Sequence, residues 1–257
     1  IKYAGSSPIL QTISDFIMEY YSPDPNPISP APIKNIVEQK QDIFCGFAQQ
    51  DSTEFIIYLL DTIDEEIKKA NPNSKGIEPI FGIKFNVRIK CKLRSCLSIY
   101  NREEINNFLL LDIDSNCESL DDAYRIHRSS DKLESDNKYF CSNCNDKRIA
   151  SKRSEIVQWP EYLFVWLKRY SQKGRRIMKN TQEITIRQTW RHGNNLQGAV
   201  IHSGGLNGGH YIYIGKQSNN KWYIFDDSSV SEIKSDEELE SMLSRAYWLC
   251  WKKERTL

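Results

Sequence analysis

The sequence predicts an α+β fold, with helices in its first third and strands after it. Two observations carry this. Apolar residues recur at helical spacing up to about residue 70; from about Phe81 they alternate or gather in short aromatic and β-branched runs. Helices followed by strands argue for α+β architecture rather than alternating βαβ units. The chain has 257 residues, 39% of them hydrophobic, enough for one large core or one core plus a satellite module. It is read as a single domain over residues 1–257.

The first helix is expected to start at Ser7-Pro8, a capping serine with proline in the first turn. Ile9, Leu10, Ile13, Phe16 and Ile17 follow at helical spacing, and a proline-rich stretch runs from Pro23 to Pro32. A stronger helix is expected over roughly Ser52 to Ala70. Asp51 with Glu54 forms a capping-box pattern at its start, and Phe55, Ile56, Leu59, Leu60, Ile63 and Ile67 form its apolar face. Lys68 and Lys69 suit the negative end of the helix dipole, and Asn71-Pro72 stops the helix. The run Asn71 to Gly76 reads as a turn, too short for a linker. Among the strands, Phe85, Val87 and Ile89 alternate with polar residues; further runs are Tyr162–Trp166, Ile184–Ile186, Tyr211–Ile214, Trp222–Phe225 and Tyr247–Trp251. No internal repeat is visible.

Thirty-five basic and 34 acidic residues leave a net charge of +1. A nucleic-acid binder of this size usually carries a basic excess, so a protein or small-molecule partner is expected. The basic run Lys173-Gly174-Arg175-Arg176 reads as a solvated loop. With the cysteine pairs, it is the only support for a zinc-ribbon module that binds RNA or protein. Mean hydropathy is −0.59, and no run approaches the ~20 apolar residues of a membrane span. Ile1-Lys2-Tyr3 leads into a polar turn with no signal-peptide pattern. Seven cysteines in a chain this long are not a disulfide scaffold; a reducing compartment, cytoplasm or nucleus, is expected.

Four of those cysteines form two close pairs, Cys91-x4-Cys96 and Cys141-x2-Cys144. Two such knuckles commonly hold a structural Zn²⁺ through four thiolates. The second spacing is standard and the first is wider. The competing reading is two reduced pairs in a site that has lost its metal. Cys117 lies between the pairs and is a possible substitute ligand, while Cys45 and Cys250 sit in apolar contexts and read as core residues.

Four glycines lead into His210 in His202-Ser203-Gly204-Gly205-Leu206-Asn207-Gly208-Gly209-His210-Tyr211. A histidine at a strand entrance can act as a general base. The strand Trp222 to Phe225 then ends in Asp226-Asp227. If the two strands pair as a hairpin, Asp226 comes against the imidazole and fixes its tautomer. Taken alone, the segment reads as a glycine hairpin with a surface histidine.

The surrounding motifs change that reading. Gly46-Phe47-Ala48-Gln49-Gln50-Asp51-Ser52-Thr53-Glu54-Phe55, followed by Leu59-Leu60-Asp61, resembles the glutamine–glutamine–aspartate box of ubiquitin-specific proteases. Tyr139 to Cys144, Trp159-Pro160 and Leu167-Lys168-Arg169-Tyr170 are similar to that family's second zinc knuckle and the strand after it. His202 to Tyr211, with Trp222 to Asp227, looks like its histidine box. The motifs occur in the family's order across nearly the whole chain. The resemblance implies a papain-like fold, with a helical thumb at 1–80, zinc-knuckle fingers at 81–158 and a β-rich palm at 159–257. It implies a thiol hydrolase that cleaves after the C-terminal Gly-Gly of ubiquitin, with ubiquitin or a ubiquitinated protein as partner. His210 would be the base, Asp226 its orienter and Asp227 an assistant. Gln50, Asp51, Gly208, Gly209 and Tyr211 would meet the ubiquitin tail, under a mobile loop from Gly204 to Gly209.

The family's cysteine box is only partly kept. Its end survives as Ile9-Leu10-Gln11, and aligning there puts Ala4 at the nucleophile position. Lys2, Tyr3 and Gly5-Ser6-Ser7-Pro8 also depart from the box. Alanine has no nucleophilic atom, so cleavage by the cysteine route is not expected of this chain. Two explanations stand: an engineered replacement of a catalytic cysteine, and a natural pseudoenzyme that binds ubiquitin or scaffolds an assembly.

Overall fold

A computed structural model describes residues 7–23, 27–173, 176–205 and 208–254. Residues 1–79 and 80–257 form two compact units, each with its own apolar cluster.

The first unit is helical: α1 (Pro8–Tyr20), α2 (Ala31–Glu38), a short 3-10 turn at Asp42–Phe44 and α3 (Ser52–Ala70). Proline does open α1, but the Ser7 side chain makes no capping bond to it. The Asp51 carboxylate accepts from the backbone N–H groups of Thr53 and Glu54 at 2.7 and 3.2 Å, so the cap expected for α3 is made. Phe55, Leu59, Ile63 and Ile67 pack against a cluster of Ile9, Leu10, Val37 and Phe44. Helix α2 was not expected; Pro32 stands in its first turn, where a missing N–H costs nothing. Cys45 is exposed, its thiol donating to the Glu38 carbonyl at 3.3 Å, which corrects its reading as a core residue.

After a short α4 (Glu78–Phe81), the second unit is mostly β. Strands β1 (Ile83–Cys91), β2 (Ile99–Asn106), β4 (Asp131–Leu133) and β7 (Ala150–Gln158) form a sheet in the order β2-β1-β7-β4. As the alternation predicts, Phe85, Val87 and Ile89 are buried. A hairpin of β5 (Tyr139–Cys141) and β6 (Asp146–Arg148) stands beside it in sequence.

The large sheet contains β3 (Phe108–Asp112), β8 (Tyr162–Lys168), β12 (Asn194–Gly205), β13 (Gly208–Lys216), β14 (Trp222–Asp226), β15 (Ser229–Glu232) and β16 (Ala246–Lys253), ordered β15-β14-β13-β12-β16-β8-β3. A short β11 (Thr189–Trp190) pairs with β12. Strands β9 (Tyr170–Lys173) and β10 (Arg176–Lys179) form a separate hairpin. Helices α5 (Leu120–His127) and α6 (Asp236–Leu243) interrupt the strand region and were not expected. Ser119 and Asp122 form a capping box on α5, and the Ser235 hydroxyl caps α6. The run Ile184–Ile186 is no strand: both isoleucines are buried, but only a single bridge, Ser119 to Thr185, pairs there. Its apolar pattern recorded burial rather than sheet pairing.

Arg169, from the family-like motif, is buried. Its guanidinium donates to the carbonyls of Ala246, Gln182, Ser244 and Asn180 at 2.6 to 3.3 Å. Burial lowers its pKa to about 10. This is a structural lock: every acceptor is backbone.

Candidate active site and metal centre

Strand β12 is buried over Gly198–Ile201 and exposed from Ser203 to Gly205, so the β12–β13 pair runs from the core out to solvent. His210 lies on the outer part of β13, opposite Ser203. Strand β14 pairs with β13 up to Tyr213–Phe225, and Asp226 follows. Two antiparallel neighbours bring these side chains together: His210 Nε2 lies 2.5 Å from Asp226 Oδ1. The hydrogen bond to Asp226 raises the His210 pKa above its ordinary 6.5, partial desolvation opposes this, and the charges of Asp226 and Asp227 add to it. Both side chains are 49% exposed, so the pair is open to a substrate and to water. Asp227 sits in the two-residue turn between β14 and β15 with φ of +50°, a left-handed conformation that aspartate tolerates in such turns.

The glycines follow from close packing. A Cβ on Gly209 would stand 2.2 Å from both His202 Nε2 and the Ser203 carbonyl oxygen, and Gly204 has φ of +108°. Tyr211 lies under His202, ring centroids 4.4 Å apart. Leu206 and Asn207 lie outside the described residues, as do Ala4, Lys2 and Tyr3. Gln50 and Asp51 belong to the first unit; there Gln50 is half-buried and Asp51 caps α3.

The four cysteines of the two pairs come together as expected. Their sulfurs all lie within 4.8 Å of one another, with Cys96 and Cys141 at 3.6 Å, and all are free thiols. A ZnS4 tetrahedron with bonds of about 2.3 Å places its sulfurs about 3.8 Å apart, so the donor set fits zinc in number, type and spacing. The wide first loop closes through the Cys91 N–H to the Ser98 carbonyl at 3.0 Å. In each knuckle the residue after the second cysteine, Leu97 or Asn145, turns left-handed. Hydrogen bonding from the Ser98 side chain and then the Asn143 amide favours the Cys96 thiolate and lowers its pKa to about 5. Cys144 is pushed up to about 12, first by the Cys96 sulfur beside it and then by burial. Cys117 is not in this cluster among the described residues. It is buried beside Asp114 in the turn that precedes α5, which removes it as a substitute ligand.

Residues 2–251 match the sequence profile of the family described as Ubiquitin carboxyl-terminal hydrolase. The chain is 30% identical over 239 residues to Homo sapiens ubiquitin carboxyl-terminal hydrolase 24, covering 75% of this chain and 9% of the relative. It is 28% identical over 239 residues to Arabidopsis thaliana ubiquitin carboxyl-terminal hydrolase 16, covering 83% of this chain and 23% of the relative. A Schizosaccharomyces pombe relative of the same type matches 88% of this chain at 28% identity, and the chain spans about half of it, 52%. The fold is shared with solved structures of Ubp8 in the SAGA DUB module. One, bound to ubiquitin aldehyde, superposes with a TM-score of 0.79 at 22% identity over 98% of this chain and 60% of that chain. Another, with a cysteine-to-alanine replacement and bound to monoubiquitin, gives 0.76 at 24% identity over 88% and 53%. The profile match over most of the chain, the hairpin that pairs His210 with Asp226, and the four-cysteine cluster agree: this chain belongs to the ubiquitin carboxyl-terminal hydrolase family, in its ubiquitin-specific protease group.

Proposed function

We propose that this chain is a deubiquitinase-type thiol hydrolase domain that binds ubiquitin by its C-terminal Gly-Gly tail and lacks the nucleophilic cysteine, alanine standing at position 4. The observation that carries the reading is the His210–Asp226 hydrogen bond, made in the open at the solvent end of a glycine-lined strand pair. A base held in one tautomer by a carboxylate is what acyl transfer to a thiol requires. Asp227 adds negative charge beside the imidazole. Gln50, Asp51, Gly208, Gly209 and Tyr211 are assigned to the ubiquitin tail, where a carboxylate can pair with arginine or accept backbone N–H bonds. Cys91, Cys96, Cys141 and Cys144 are assigned to a structural zinc, which fastens the two knuckles together. Residues 1–80, 81–158 and 159–257 are assigned as thumb, fingers and palm. No helix among the described residues is long and apolar enough to cross a membrane, and a cytoplasmic or nuclear location is proposed from the free cysteines.

A second reading, a pseudoenzyme that holds ubiquitin without cutting it, is favoured by one observation. Lys2, Tyr3 and Gly5 to Pro8 depart from the family box along with Ala4, more than one replacement explains. Ubp8 with its cysteine-to-alanine replacement is bound to monoubiquitin, in line with binding that needs no thiol. The test is Ala4→Cys, assayed for release of a leaving group from a ubiquitin C-terminal amide and, in parallel, for ubiquitin binding. Cleavage supports the hydrolase reading. Binding without cleavage leaves the pseudoenzyme, and absence of both refutes the ubiquitin assignment.

A further inference from the structure

Lys179 ends β10, and its ammonium has three N–H donors with three acceptors around it. The carbonyl oxygens of His202 and Gly204 each lie at 2.8 Å, and Nδ1 of His202 lies at 3.1 Å. Tyr170, at the start of β9, brings its hydroxyl to 2.9 Å from the same Nδ1 and to 3.3 Å from the Gly205 carbonyl oxygen. Both donors stand on a hairpin that forms its own two-stranded sheet. All the acceptors stand on the last four residues of β12. Those four pair with the stretch that holds His210: His202 opposite Tyr211, Ser203 opposite His210, Gly204 opposite Gly209 and Gly205 opposite Gly208.

This end of the strand pair needs a tether. Apolar burial on β12 stops at Ile201, so the core gives the next residues little hold. Glycines add backbone freedom rather than packing. Charge-assisted hydrogen bonds from an ammonium to carbonyls are the stronger kind and replace what the core does not supply. The same contacts fix the His202 ring. An ammonium only donates, so the Nδ1 facing it carries the lone pair and the ring proton sits on Nε2. That lone pair takes one donor in plane; when Lys179 holds it, the Tyr170 hydroxyl has the Gly205 carbonyl to donate to.

We propose that Lys179 and Tyr170 are positioning residues that clamp the His202–Gly205 end of β12 and thereby set the placement of His210 on the paired strand. The catalytic consequence rests on the reading of His210 and Asp226 as base and orienter; the clamp itself does not.

The test uses the full chain, ¹⁵N-labelled. The His202 ring is expected to show an unprotonated Nδ1 and a protonated Nε2. Lys179→Met is expected to speed amide exchange at 202–205 and 208–211 by about tenfold or more, to move the His210 ring resonances, and to leave exchange in β8 and β16 unchanged. Tyr170→Phe is expected to act on the same residues with a smaller effect, and it carries the test if Lys179→Met does not fold. A His202 protonated at Nδ1 overturns the proposal. So does a variant whose glycine exchange and His210 signals superpose on the parent, or one that loosens the whole sheet equally. Where Ala4→Cys cleaves, adding Lys179→Met should lower kcat by a larger factor than it raises KM when rates are referred to active sites counted by titration with a ubiquitin C-terminal electrophile, because loss of folded enzyme alone lowers the apparent kcat but not the kcat per active site. Failure of Ala4→Cys to cleave while the clamp signature is intact sinks the hydrolase reading and leaves the clamp standing.

Discussion

Replacing Gly209 with alanine is expected to spring open the end of the β12–β13 pair. The new Cβ would stand 2.2 Å from His202 Nε2 and 2.2 Å from the Ser203 carbonyl oxygen, where ordinary contact begins at 3.4 Å. The neighbours would have to retreat by about 1.2 Å, the difference between those distances. One neighbour is backbone. The other is a ring whose Nδ1 faces the Lys179 ammonium and the Tyr170 hydroxyl and which lies against Tyr211. Overpacking of this kind costs about 1–3 kcal/mol. A fall in Tm of roughly 2–4 °C per kcal/mol then gives about 2–12 °C. The segment is exposed and can open locally, which caps the cost, so the lower half of that range is expected. Gly205→Ala is the matched control: a Cβ there meets nothing within 4 Å, and Tm should hold to within about 1 °C. Thermal melts of both variants, with ubiquitin binding measured alongside, read the outcome. If the two alanines behave alike, close packing is not why these positions are glycine.

Three further outcomes are expected. In Asp226→Asn, the His210 imidazole should titrate lower than in the parent, followed by NMR; because the native pKa is raised, the pair's stabilisation is complete below the ordinary 6.5 and is lost as pH rises through the native value, so the variant's deficit should be largest on the acid side. One zinc per chain should be found by elemental analysis, and Cys141→Ser should abolish it and expose 139–148 to protease; a zinc-free chain whose melting is indifferent to Cys141→Ser ends the four-thiolate reading. Asp51→Ala should lose about 1 kcal/mol with its helix cap, while Asp51→Asn keeps most of the cap. If Asp51 also meets the ubiquitin tail, Asp51→Asn will weaken binding at nearly unchanged stability.

What could be read in advance was local. Helix α3 was legible because its cap, apolar face and stop all lie within about 20 residues of one another. Helices α5 and α6 have capping serines that were open to the same reading, but each is eight residues long, and such helices owe their stability to burying Leu120, Ala123, Tyr124, Leu239 and Leu243. Apolar neighbours misled at Cys45 and at Ile184–Ile186, because hydrophobicity reports a wish for burial and not which element satisfies it.

The site divides in the same way. The two cysteine pairs were legible from residue type and spacing, and the ordered motifs carried the family resemblance; the roles of His210 and Asp226 came from that resemblance and not from their own spacing. Tertiary structure decided the rest. It brought Cys96 to 3.6 Å from Cys141, 45 residues away, and excluded Cys117. It closed His210 on Asp226 across neighbouring strands. It made Lys179, one cation in a basic stretch, the donor to carbonyls 23 and 25 residues further on. Chain periodicity records only neighbours within a turn or a pleat, whereas an ammonium or a thiolate acts through whatever folding places within about 3 Å of it.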